Sequence, residues 1–374
     1  MQLDLTTDQE LLRTTAVRFI DAACPMARVR ELADSSADVG RDYLRQAAEL
    51  GWFAMLVPEE LGGGSVSGAG LVDAAIVAEE RGRLLQPGPF VPMNVVAYAL
   101  AHAGNDQQRR EVLPALLAGD DLATWAIADP GGNWTLDAGL VAKRTQGGFV
   151  LAGAKGLVQD AHLVRWILVT AATDAGPSQF LVPTGTPGLT VHRLDGLDLS
   201  RRLCRVEFAD VELPDSAVVG QIGGSTELIE HQLDVAIALT VAESVGAMDR
   251  DFEVVVDYAK ARTAFGRPIG SFQAVKHLLA DTALSLETSK SMAVAAAHAV
   301  EDNGDDASLV ASMAKAFVGD SGVDLAQNCL QVLGGIGYTW EHDQHLYLRR
   351  LTADASLYGE PAWHRERLCR MFEL

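Results

Sequence analysis

Three observations predict an α+β fold in three successive parts. Helical periodicity runs from Thr7 to about Leu117 and returns from about Thr226 to the C-terminus. Between Asp121 and Val219 it gives way to short β-type runs separated by glycine, proline and aspartate. The chain of 374 residues, 48% hydrophobic, is also long enough to bury two or three cores. The expected organisation is a helical domain over 1–120, a small antiparallel β domain over 121–222 and a helical bundle over 223–374.

Each element has a local reason. Thr6 or Thr7 can cap the first helix, with Gln9 and Glu10 in its opening turn. The segment Gly51 to Gly63 is rich in breakers and reads as a connection; Ala78 to Gly82 and Gly104 to Pro114 read as further positioning segments that line one side of a cleft. Four strands are expected, at Phe149–Leu151, Trp166–Val169, Gln179–Val182 and Cys204–Phe208. Long helices follow at Ala236 to Arg262, Gln273 to Val300 and Ser308 to Leu333, with Gly304 and its acidic neighbours as a loop; they make a four-helix core the natural product. No repeat or low-complexity segment interrupts them.

Composition excludes several classes of function. The longest apolar runs, such as Met292 to Val300, fall well short of the roughly 20 residues a bilayer needs, so no membrane span is expected. The N-terminus lacks a basic start followed by an apolar core, and a cytoplasmic location is the expectation. A net charge of -20 argues against nucleic-acid binding, and the densest basic groups, Arg349-Arg350 and Arg365 to Arg370, lie near acids. Cys24, Cys204, Cys329 and Cys369 have no metal-like spacing and read as reduced packing thiols.

Two segments carry chemistry. The first is Ala261-Arg262-Thr263-Ala264-Phe265-Gly266-Arg267-Pro268-Ile269-Gly270-Ser271-Phe272-Gln273, and the second is Gln331-Val332-Leu333-Gly334-Gly335-Ile336-Gly337-Tyr338. Arginine offers a pyrophosphate a permanently charged fork of donors; a glycine pair admits close backbone approach, and glutamine amides can read an adenine edge. Taken singly, an arginine at a helix end is a solvated charge and Gly-Gly a turn. Together, in this order, the segments resemble the flavin-binding signature of acyl-CoA dehydrogenases. The resemblance implies that FAD is held by Arg262, Thr263, Phe265, Phe272 and Gln273 with Gln331, Val332, Gly334 and Gly335, reaching across an interface to a neighbour's flavin. It also implies α,β-dehydrogenation of an acyl-CoA thioester, a carboxylate base, and an electron-transfer flavoprotein as acceptor.

The chain departs from that family in three places. Where most members carry the base in an aromatic-Glu-Gly-Thr motif, this sequence reads Tyr358-Gly359-Glu360-Pro361, so Gly359 stands in the base position. The alternative base position, on the first helix of the C-terminal domain, holds Ala236 followed by Ile237. Glu360, one residue away, and Glu243, a buried-looking acid on that helix, are the remaining candidates. Glu243 reads more readily as a polar contact between helices. Beside the flavin, the segment Ala128-Asp129-Pro130-Gly131-Gly132-Asn133-Trp134-Thr135 retains only the acid-Pro-Gly core. In Lys155-Gly156-Leu157-Val158-Gln159-Asp160, Leu157 replaces an aromatic ring and Gln159 a small hydroxyl residue. Groups offered to a neighbour are present, while groups for the chain's own flavin ring are degraded. The pattern implies one half of a heteromeric α2β2 acyl-CoA dehydrogenase whose partner is a second subunit of the same family. Its ending resembles those of actinobacterial steroid-degrading members, and the lost bulk suits a large acyl group. The rivals are a self-sufficient homo-oligomer using Glu243 or Glu360, and a non-enzymatic scaffold.

Overall fold

Thr6 opens the first helix with a reciprocal cap: its hydroxyl accepts from the Gln9 N–H while the Gln9 side chain accepts from the Thr6 N–H. The computed structural model describes residues 5–35, 37–136 and 139–373. Among the described residues, six α-helices form the first part: α1 (Thr7–Ala23), α2 (Met26–Ala33), α3 (Arg41–Glu49), α4 (Gly70–Arg83), α5 (Phe90–Ala103) and α6 (Leu113–Leu117). Helix α5 is apolar nearly all round and is accordingly buried, from Phe90 through Ala101 apart from a half-buried Tyr98. Gly51 to Gly63 is a run of turns rather than a regular helix.

The middle part contains β1 (Ala123–Ala126), β2 (Leu140–Thr145), β3 (Gly148–Gln159), β4 (Trp166–Thr173), β5 (Gly176–Pro183), β6 (Leu189–Arg193), β7 (Leu203–Leu213) and β8 (Val218–Val219). All four expected strands fall inside these. The path is β6-β7-β3-β2-β4-β5-β8, with β1 paired to β4. Most pairings are antiparallel, but β1 runs parallel to β4 from Ala123 opposite Trp166, and β2 meets β4 in parallel at Val141 opposite Ala172. Parallel pairing needs distant segments to meet, which periodicity along one strand does not report. The β3–β7 ladder shifts register between Lys155 and Val158, so Gly156 and Leu157 bulge out of it.

Three long helices dominate the last part: α7 (Thr226–Ala261), α8 (Gln273–Asp302) and α9 (Ala307–Leu333). A short hairpin, β9 (Thr263–Ala264) with β10 (Arg267–Pro268), links the first two. Helix α10 (Gln344–Ser356) completes a four-helix core and α11 (Pro361–Met371) packs on α9. The structure starts α7 ten residues before the expected Ala236, because Ile229, Leu233 and Val235 extend its buried face. Of the cysteines, Cys24, Cys204 and Cys329 are buried and free; Cys369 is also free but exposed, so it is not a packing thiol.

Helices α4 and α7 cross with almost no separation. A Cβ on Gly82 would lie 1.9 Å from the Glu243 carbonyl oxygen, and one on Gly246 would lie 1.9 Å from that of Glu79. No methyl fits there without parting the two helices. Gly246→Ala is therefore expected to cost about 1–3 kcal/mol, as overpacking of a dense core does, and thermal denaturation should register it as a lowered Tm.

Candidate functional site

The ends of α7 and α9 and the start of α8 come to one end of the bundle, because α8 runs back along α7 and α9 returns. Asn328 on α9 donates to Thr282 on α8 at 3.3 Å near that end. The sequence-selected groups stand on this surface. Arg262, Thr263, Gln273, Gln331 and Gly335 are exposed, Phe272 and Gly334 half-buried. Phe265 is 95% exposed and sits at φ 51°, a left-handed conformation that non-glycine residues adopt rarely and that clusters at functional sites. Its ring meets Phe272 edge-on with centroids 6.1 Å apart, and the Arg267 guanidinium lies over Phe272 at 4.1 Å. Among the described residues, the side chains of Arg262, Gln273 and Gln331 form no hydrogen bond or ion pair. Nothing lies within 4 Å of a Cβ built on Gly334 or Gly335. Val332 differs from its neighbours: its side chain packs into the core, so a ligand there meets its main chain.

The two carboxylate candidates are in opposite circumstances. Glu243 is buried and accepts from Arg201 Nη2 at 2.8 Å, with Arg81 Nε 3.5 Å away. Arg201 also pairs with Asp354, and burial works against its charge but is outweighed by Asp354 and Glu243, which hold the guanidinium above its ordinary range. Glu243 is thereby committed to a buried ion network. Glu360 is exposed at the start of α11 and makes no capping hydrogen bond.

Gly359, next to Glu360 in the chain, adopts a conformation reserved for glycine, φ 105°. A Cβ there would sit 2.7 Å from both His364 Nε2 and Trp363 Cε3. It would point into α11. His364 is fully buried, and its Nε2–H donates to the Tyr358 carbonyl at 3.0 Å, while Nδ1 has no hydrogen-bond partner. Burial, with the Lys315 ammonium nearby, pushes this imidazole down to about 3. Lys315 is itself lowered to about 7 by burial; it donates to the carbonyls of Asp354 and Ala355 at 2.8 and 2.9 Å, closing the C-terminal turn of α10.

The segments 128–135 and 155–160 meet, a Cβ built on Gly156 lying 2.8 Å from the Asp129 carbonyl oxygen, and Trp134 of the first reaches Tyr358. Lys155 Nζ donates to the Ile127 carbonyl at 2.7 Å and lies 3.2 Å from Asp129 Oδ1. Gln159 Nε2 donates to the Gly88 carbonyl at 2.9 Å. Trp134 turns inward from a largely exposed turn and packs against Tyr358 with ring centroids 5.3 Å apart; Tyr358 in turn faces Trp125 at 6.3 Å. Sequence reasoning passed over Trp134, Arg201 and His364. A tryptophan in a Gly-Gly-Asn turn was the available signal for the first. Elsewhere, the connection at Met55 to Glu59 walls a cavity of about 540 Å³ whose other side carries Tyr98, His102 and His231.

The layout is helical, sheet and helical, with a glycine-rich polar surface at one end of the last bundle. Residues 6–120 match the acyl-CoA dehydrogenase N-terminal domain and residues 226–371 the C-terminal domain. The acyl-CoA dehydrogenase IpdE2 of Mycobacterium tuberculosis is 31% identical over 358 residues, covering 95% of this chain and 94% of that protein. The acyl-CoA dehydrogenase FadE34 of the same organism is 34% identical over 351 residues, covering 91% of this chain, which spans 44% of FadE34's length. The crystal structure of the ChsE4-ChsE5 complex from Mycobacterium tuberculosis superposes with a TM-score of 0.91 at 25% identity, covering 100% of this chain and 99% of that one. The chain belongs to the acyl-CoA dehydrogenase family. No helix among the described residues is long and apolar enough to cross a membrane.

Glu243→Ala leaves Arg81 and Arg201 short of a buried carboxylate and should cost about 3–5 kcal/mol, the usual penalty for breaking a buried pair, read by denaturant unfolding. His364 stays neutral in the folded state while the unfolded imidazole takes up a proton below 6.5, so stability falls as pH drops from 6.5 toward 3. His364→Gln keeps an N–H for the Tyr358 carbonyl and should flatten that fall by up to about 1.4 kcal/mol per pH unit, as measured by unfolding between these limits.

Proposed function

We propose that this chain is the base-lacking subunit of a heteromeric, FAD-dependent acyl-CoA dehydrogenase of α2β2 type, acting on a bulky acyl-CoA. Gly359 carries the reading. Its position, conformation and the rings facing it leave no room for a carboxylate side chain where the family places one. The engagement of Glu243 with two arginines and the exposure of Glu360 support the same assignment. A second, related subunit then supplies the base.

The clamp surface supports the cofactor half of the proposal. Arg262 offers a charged fork for a pyrophosphate, Gln273 and Gln331 offer unspent amides, and Phe265 presents a bare ring. Such groups exposed together on one end of a bundle suit a ligand and a partner that cover them. These residues would hold the adenine half of FAD bound in the neighbouring subunit. FAD held there would supply the redox chemistry, as the hydride acceptor for the acyl β-carbon. An electron-transfer flavoprotein as acceptor and steroid-type acyl groups as substrates are carried over from the family resemblance.

The test is co-expression with an adjacent acyl-CoA dehydrogenase-like subunit. The chain purified alone should be colourless and inactive, and the complex should hold one flavin per αβ pair. Arg262→Ala should remove much of that flavin, seen in the visible spectrum, while Glu360→Gln leaves turnover nearly unchanged. Stoichiometric FAD and turnover in the lone chain would sink the proposal in favour of a self-sufficient homo-oligomer.

A further inference from the structure

The reading above leaves open what became of this chain's own flavin-ring pocket. We propose that Trp134 fills it, making the subunit unable to hold a flavin ring of its own while it clamps one across the interface. The inference rests on the proposed subunit role and adds the residue that enforces it.

The observation is a buried side chain where the local backbone does not demand one. Gly131 and Asn133 are exposed and Gly132 half-buried, yet Trp134 is 3% exposed. Its indole leaves the turn and lies against Tyr358, the residue immediately before Gly359. Its ring therefore reaches from the first of the two segments that resemble the family's flavin-ring cradle to the residue beside the position that resembles its base. Trp125 also packs against Tyr358, near-parallel at 19° with centroids 6.3 Å apart, so three rings gather around Tyr358 in one buried layer. A planar flavin ring and these side chains cannot share the space, since a protein interior has no slack for a second ring system.

The rest of the cradle is spent on other contacts. Leu157, held at φ 51° by the bulge in β3, lies with its Cδ1 3.9 Å from a Cβ built on Gly132, so it covers the glycine turn. The Gln159 amide is tied to the Gly88 carbonyl, joining β3 to the loop before α5. Each of these could be mutated without opening the layer, because Trp134 would remain in it. The ring pocket therefore fails to fit FAD for a steric reason before any lost hydrogen bond counts.

FAD binding to the purified full-length chain separates Trp134 from its neighbours. Four proteins are compared: wild type, Trp134→Ser, Gln159→Thr, and Trp134→Ser combined with Gln159→Thr. FAD retained after gel filtration and quenching of flavin fluorescence are the readouts, with circular dichroism and melting to establish that each is folded. Both proteins lacking Trp134 should bind FAD about tenfold tighter or more, and Gln159→Thr alone should behave as wild type. Trp134→Phe, which keeps a ring, should also behave as wild type and guards against a simple loss of packing. Equal gains in Gln159→Thr and in the Trp134→Ser proteins, or folded Trp134→Ser proteins with no gain, would overturn the assignment of Trp134 while leaving the base-lacking role intact. Tight FAD binding by the wild-type chain would overturn it as well, and acyl-CoA-dependent bleaching of that flavin would defeat the subunit role separately.

Discussion

A buried network of alternating charge joins the three parts of this chain. Arg81 comes from α4, Asp198 and Arg201 from the loop between β6 and β7, Glu243 from α7, and Arg350 and Asp354 from α10. Each part supplies at least one member. Three guanidinium groups and three carboxylates balance, and the geometry is that of close charge-assisted bonds, with Arg350 Nε 2.5 Å from Asp198 and Arg350 Nη2 2.7 Å from Ser200. Burial raises and the two arginines lower the proton affinity of Asp198, leaving it below the ordinary carboxylate range. A network of this kind stabilises less than its Coulomb energy suggests, since each ion gives up its water. Its leverage is specificity: an alternative packing of the sheet against either helical part would strand charges in the core.

The network also sets what the site can do. Glu243, a buried acid on α7, is held in place by two cations. Tyr358 and Gly359 follow directly from α10, whose last turn is held by Asp354 on one side and by the Lys315 ammonium on its carbonyls on the other. The strain of Tyr358, at φ 58°, and the glycine-only conformation at Gly359 are thus fixed from outside the loop. One end of the bundle offers an open, unsatisfied polar surface, and the region near Gly359 is closed with aromatic rings.

Legibility differed by the range of the interaction. Thr6, Gln9 and the hydrophobic periods of α1, α8 and α9 are local signals, and the elements they announce form where expected. The Arg262–Gln273 and Gln331–Gly335 segments are short motifs and could be read directly, as could the lack of a carboxylate at Gly359. Arg201 could not, because a Ser-Arg-Arg loop sequence resembles any solvated turn until Glu243 and Asp354 are brought to it. The parallel pairing of β4 with β1 and β2 was hidden for the same reason, since its partners lie about 40 and 30 residues apart.

From residue order and chemistry alone came the three-part plan, the family resemblance, the two motif segments and the glycine at position 359, because each depends on side-chain type at short spacing. Which acid is already consumed, which way a Cβ at Gly359 would point and where the Trp134 ring goes were decided by the tertiary fold. Those facts depend on contacts between residues far apart in the chain. Packing density and the balance of buried charge, rather than local propensity, determine them.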